Sequence, residues 1–216
     1  TLVKTAARTL SVGGSTTTLT VQNLTQTTGN FTAPATLNIN GNLLISADAF
    51  TAGANTNVRG NFTLGNTVIM CPCRIGHRIN KGQQQGNNEK NDNDPVLPMA
   101  AASFVHSSGT VTFDGSGAQT ITIDDGMNMT FYNLTVNTTG PLNLVKACED
   151  VVISNTLTMT SGLINLQGGC EEVLTLGVSG AASTLSRSAG TWMYGGSFKR
   201  FWPASTAITS TSGNYY

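Results

Sequence analysis

The segment Leu142-Asn143-Leu144-Val145-Lys146-Ala147-Cys148-Glu149-Asp150-Val151-Val152 returns 22 residues later as Ile164-Asn165-Leu166-Gln167-Gly168-Gly169-Cys170-Glu171-Glu172-Val173-Leu174. A repeat of this length is about one coil of a solenoid. It cannot enclose a core by itself and must bury its apolar side against its neighbours. A weaker echo sets Leu37-Asn38-Ile39-Asn40-Gly41-Asn42-Leu43 against Thr56-Asn57-Val58-Arg59-Gly60-Asn61-Phe62, at an offset of 19. Coil length therefore drifts, as corners of variable length allow.

The local pattern agrees with stacked strands. Short alternating or apolar runs recur at Leu37 to Ile39, Leu43 to Ile45, Thr120 to Ile123, Phe131 to Val136, Val151 to Ile153, Leu157 to Met159, Leu163 to Leu166 and Val173 to Leu176. Turn signals such as Asn40-Gly41-Asn42, Asp114-Gly115 and Ser161-Gly162 separate them. No stretch combines a helical period with caps. The expected class is all-β: a parallel β-helix-like β-solenoid with irregular coils and an inserted loop, with a β-sandwich as the alternative.

Asn23-Leu24-Thr25 and Asn133-Leu134-Thr135 open two further similar stretches, which suggests two related modules. The expected organisation is a first β module over 1–70, a polar Cys-containing insertion over 71–98, a second module over 99–190 and an aromatic-rich cap or intersubunit segment over 191–216. The insertion follows from Gln83-Gln84-Gln85-Gly86 and Asn91-Asp92-Asn93-Asp94-Pro95, which have no period and few apolar residues.

Only 10% of the 216 residues are charged and the formal net charge is zero. Threonine, asparagine, serine and glycine stand where charges usually do. That balance lacks the basic stripe that nucleic acid requires, and no apolar run is long enough for a membrane-spanning helix. An even number of cysteines, four, leans toward an oxidising compartment, and a start at Thr1 suits a processed, secreted product and equally an excised fragment. The expected location is extracellular or at the cell surface.

The run Gly109-Thr110-Val111-Thr112-Phe113-Asp114-Gly115-Ser116-Gly117-Ala118-Gln119-Thr120-Ile121, then Phe131-Tyr132-Asn133-Leu134-Thr135-Val136-Asn137, resembles repeats in large secreted surface proteins of Bacteroidetes-type bacteria. The likeness continues through Val152 to Gly162 and Leu174 to Gly177, covering most of 109–203 and more loosely 16–66. It implies a β-helix-like repeat in exported adhesin-like or matrix proteins.

Each candidate site has a plainer reading beside it. Cys148 and Cys170 occupy equivalent places in consecutive coils, and stacked strands lie about 4.8 Å apart, so a disulfide is expected between them. Cys71 and Cys73 are expected to staple the insertion. With His77 they do not complete a tetrahedral metal set, so no metal is assigned. Glu149-Asp150 and Glu171-Glu172 would stack as like charges, either solvated at a corner or bridged by calcium near Glu149 and Glu171. Asp124 and Asp125 add carboxylates without placing an acid and a base across a cleft. His77 and His106 lack any nucleophile motif, so no catalytic residue is assigned.

Trp192, Tyr194, Phe198, Phe201, Trp202, Tyr215 and Tyr216 crowd the end of the chain, as a cap, a subunit contact or a glycan platform. Asn23, Asn30, Asn61, Asn128, Asn133 and Asn137 each begin an Asn-x-Thr acceptor pattern for glycosylation. A threonine array facing ice ranks a distant fourth among the readings, because regular Thr-x-Thr rungs at constant spacing are not sustained. The expected function is therefore non-enzymatic: a structural subunit of a surface fibre or adhesin that assembles head to tail with itself. A carbohydrate-binding adhesive module is the alternative, and a β-helix polysaccharide-cleaving enzyme is a weaker one.

Overall fold

The computed structural model describes residues 1–6, 8–12, 15–65, 101–124, 127–146, 151–166, 173–189, 191–194 and 196–201. Every regular element among them is a strand, and none is a helix long and apolar enough to cross a membrane. The alternation that marks these strands in the sequence is also what folds them. In Thr36–Ile39, for example, Leu37 and Ile39 are fully buried while Thr36 and Asn38 face out.

The chain winds round three faces as a parallel β-solenoid of about six turns. The first face stacks Leu2–Lys4, Leu24–Gln26, Leu43–Ile45, Phe62–Leu64 and Gln119–Ile123. The second stacks Leu10–Ser11, Phe31–Thr32, Ala49–Thr51 and Ser103–Val105. The third stacks Thr18–Val21, Thr36–Ile39, Asn55–Val58 and Thr110–Phe113. Above these, Met129–Lys146 and Val151–Leu166 each run round all three faces, with register shifts between Phe131 and Asn133 and between Asn137 and Pro141. Val173–Leu176, Thr184–Arg187, Thr191–Tyr194 and Ser197–Arg200 continue the column.

The expected β-solenoid is the observed fold, and the sandwich alternative falls away because every strand pairing among the described residues is parallel. The coils before and after residues 66–100 stack directly. Asn55–Val58 pairs with Thr110–Phe113, and Phe62–Leu64 with Gln119–Ile123.

Inward residues form columns. Leu24, Leu43, Phe62, Ile121 and Leu144 lie above one another on the first face, all at 1% exposure or less. On the second, Phe31 and Phe50 stack with ring centroids 5.3 Å apart, and Phe50 and Phe104 with centroids 5.9 Å apart. Each such side chain contributes about 1.5–3 kcal/mol on burial, and a solenoid collects that contribution rung by rung.

Side-chain amides lock the corners. The Asn42 N–H donates to Asn23 Oδ1 (2.7 Å), the Asn61 N–H to Asn42 Oδ1 (2.9 Å) and the Thr120 N–H to Asn61 Oδ1 (2.9 Å). Inside, buried Gln26 donates from Nε2 to the carbonyls of Gly29, Ala47 and Ala49. Gln119 does the same to Val58 and Gly60. These bonds satisfy backbone groups that the turning chain would otherwise leave buried and unpaired.

Candidate functional site: a threonine and asparagine face

The third face presents two outward columns. One consists of Thr18, Thr36, Asn55, Thr110, Asn133, Thr156 and Thr184, and the other of Thr20, Asn38, Asn57, Thr112, Thr135, Thr158 and Ser186. The rungs pair residue for residue without a register shift within any strand of this face. Adjacent rungs are therefore about 4.8 Å apart, and the two columns about 6.6 Å apart. From the rung at Thr18 to the rung at Thr156 no strand of this face carries a charge, and Arg187 ends the last one.

The face owes its stiffness to both bonding and side-chain type. The Asn57 Nδ2 donates to Asn38 Oδ1 (2.8 Å), and the Asn38 Nδ2 to Thr20 Oγ1 (3.3 Å). Higher up, the Asn133 Nδ2 donates to Thr110 Oγ1 (3.3 Å) and the Asn155 Nδ2 to Asn133 Oδ1 (2.7 Å). The β-branched threonines are restricted at χ1. Because threonine, asparagine and serine are similar in length, the surface has little relief. At one border Arg59 pairs with Asp114 (3.4 Å) and donates to Asn40 Oδ1 (3.0 Å).

On the first face a shallow depression of about 410 Å³ is lined by Thr1, Asn23, Thr25, Asn42, Leu43, Leu44, Asn61 and Thr63. Its lining side chains are hydroxyls, amides and two leucines, with no carboxylate, histidine, lysine or cysteine among them. His106, just after Ser103–Val105, stacks on Tyr132 with centroids 5.7 Å apart, and its Nδ1 accepts the Ser108 N–H. Half-buried Asp124 stands at the corner beside Gly65. Among the described residues, no three His, Cys, Asp or Glu side chains gather where they could hold a metal ion.

Many of the residues singled out in the sequence lie outside the described residues: Cys71, Cys73, Cys148, Cys170, His77, Asp125, Glu149, Asp150, Glu171, Glu172, Trp202, Tyr215 and Tyr216. Of the aromatic group, Trp192 and Tyr194 lie on a strand paired with Leu163–Asn165. Phe198 pairs with Leu174 and packs half-buried on the core. Phe201 receives the Lys199 ammonium 4.7 Å from its ring centroid.

The six acceptor asparagines share one geometry. Asn23, Asn30, Asn61, Asn128, Asn133 and Asn137 each immediately precede a buried residue, namely Leu24, Phe31, Phe62, Met129, Leu134 and Thr138. An outward or half-buried threonine, or exposed Thr139, then follows. Five of them accept coil-to-coil hydrogen bonds through Oδ1: Asn23, Asn30, Asn61, Asn133 and Asn137. The Asn-x-Thr pattern is thus a signature of a rung: an amide pointing away from the core, an inward side chain next and an outward threonine after it. Comparison with known protein families, with curated proteins and with solved structures found no match.

Proposed function

We propose that the chain is a non-enzymatic structural module of an exported surface fibre or adhesin, assembling head to tail with copies of itself through β-strand contacts at its end rungs. The observation that carries this reading is the state of the first of these rungs. Leu2–Lys4, Leu10–Ser11 and Thr18–Val21 each pair on one side only among the described strands. Their inward Leu2, Leu10, Leu19 and Val21 are half-buried, whereas Leu24, Phe31, Leu37 and Ile39 directly above them are at 1% exposure or less. One more coil would pair that edge and cover that core, and the opposite end of a second copy can supply it, a head-to-tail contact that repeats into an open filament. Export is supported by the Thr, Asn, Ser and Gly composition and by the likeness to secreted repeats.

Light scattering and negative-stain electron microscopy over a concentration series test the reading. The wild-type chain is expected to form filaments or a growing mass. Leu19→Lys, which places a charge at the open end, is expected to reduce both while leaving the circular dichroism spectrum β-rich. A chain that stays monomeric at the highest soluble concentration refutes end-to-end joining.

A further inference from the structure

We propose that the third face binds ice, through an ordered layer of water held on its two outward columns. The inference is independent of end-to-end assembly, since the face lies along the column and not at its end. Three properties select the ligand. The face is uncharged over its rungs from Thr18 to Thr156, so a polyanion finds no cation to neutralise it. The depression found on the first face does not extend here, and a surface of uniformly short side chains cannot enclose a soluble small molecule. Neither column carries an aromatic ring on which a single sugar chain could stack.

What such a surface can match is a solid that is itself flat, neutral and periodic. An ice face is a lattice of water oxygens, uncharged, with hydrogen-bond donors and acceptors repeating along two axes. The threonine and asparagine groups repeat along two axes as well, at about 4.8 Å and about 6.6 Å, in the range of the oxygen rows of ice. Each threonine supplies one hydroxyl to a water and one methyl that holds neighbouring waters in a cage. The contacts are individually weak. They add because the rungs are rigid, so the ordering entropy is already spent before binding, and because a lattice meets every rung at once. Over the six steps from Thr18 to Thr184 the array is roughly 29 Å long.

The sequence hid this regularity behind unequal coils. Equivalent residues are 18 apart between Thr18 and Thr36 but 55 apart between Asn55 and Thr110. These differences in chain length fall between the paired strands, so the rung-to-rung distance stays that of the ladder.

The test uses the full chain, measured for thermal hysteresis by nanolitre osmometry and for partition into a growing ice hemisphere. The wild type is expected to slow or halt ice growth and to enter the ice. Thr112→Lys and Thr135→Lys, each in a central rung, are expected to lower the hysteresis at equal concentration by about tenfold or more. Thr63→Lys, on the first face, is expected to leave it within about twofold. Thr135→Ser removes a methyl without risk to the fold and is expected to give an intermediate loss. Melting curves confirm that each variant is folded. A folded wild type excluded from ice, or third-face variants that match the wild type, would overturn the assignment. Adsorption to microcrystalline cellulose or chitin without any effect on ice would also overturn it, and would give the face to a crystalline polysaccharide.

Discussion

Gln119 stitches the coil before residues 66–100 to the coil after them, and its loss offers a worked test of the fold. The side chain is 2% exposed. Its Nε2 donates to Val58 O (2.9 Å) and Gly60 O (2.6 Å), and its Oε1 accepts the Gly115 N–H (2.7 Å). Gln119→Met keeps the length and volume but removes both polar functions. Val58 O retains the Asp114 N–H at 3.3 Å. Gly115 N–H loses its partner in a buried corner, and Gly60 O loses its partner where water has partial access. A buried orphan group costs about 1–3 kcal/mol and a wetted one less, giving a total of about 2–4 kcal/mol. With a urea slope of about 2–3 kcal/mol/M, the midpoint should fall by roughly 1 M.

Gln119→Glu adds a pH signature. Its carboxyl keeps the Gly115 N–H as a donor on one oxygen but turns the other toward the carbonyl oxygens of Val58 and Gly60 in a buried site, and burial together with those two acceptors outweighs the single donor and raises its folded pKa above the unfolded value. The stability of that variant is then fully present below the unfolded carboxyl pKa and is lost as pH rises through the raised folded one. Urea titrations at pH 4 and pH 8 should show the larger deficit against wild type at pH 8. A Met variant within about 0.5 kcal/mol of wild type, or a Glu variant whose deficit ignores pH, would refute the stitching role.

Phe50→Ala opens the ring stack between Phe31 and Phe104 and is expected to cost about 3–5 kcal/mol in chemical denaturation. Gly53→Ala should lose more than about 1 kcal/mol, because a Cβ there runs into Pro34 O. Gly117→Ala, with open space around it, should be neutral or gain about 0.4–1 kcal/mol, and paired melting curves compare the two. Replacing residues 66–100 by a short Gly-Ser linker should shift stability by no more than about 1 kcal/mol. The flanking coils pair directly, and the previous coil crosses the same corner in Ser46–Asp48. Loss of the β-type circular dichroism spectrum would contradict that expectation.

The 22-residue repeat is faithful on the first face, where Leu142 pairs with Ile164, Asn143 with Asn165 and Leu144 with Leu166. Past the corner it slips by one. Val151 pairs with Leu174 and not with Val173, and Leu174 is the residue buried at 0%. Residue type does not separate Val173 from Leu174, because both are apolar and only burial distinguishes them. The echo of Asn42 in Asn61 survives intact as a corner ladder. The likeness of Asn23-Leu24-Thr25 to Asn133-Leu134-Thr135 has a local cause. Both are rung signatures, but the former opens a strand of the first face and the latter a strand of the third. The phenylalanine stack leaves no periodic trace in the sequence for a related reason. Phe31, Phe50, Phe104 and Phe131 lie at unequal chain intervals and align only once the corners are known.

These cases share one physical origin. In a solenoid each rung meets only its neighbours, so the backbone ladder fixes the distance between rungs while the corners absorb changes in chain length at small entropic cost. The inward columns are constrained by packing: Leu37, Val111, Leu134 and Leu157 must fill one shaft, and the buried Thr56 hydroxyl among them is a defect the shaft tolerates. The outward columns of the third face are under no such demand. Solvated cations stand elsewhere on the column, as Arg59 does at its border, and an outward lysine would cost the fold little. Stability and surface recognition are therefore carried by alternate residues of the same strands. Changes at Leu134 or Val136 should act on melting, changes at Thr135 on what the face adsorbs, and the two effects are separable because adjacent side chains in a strand point to opposite sides.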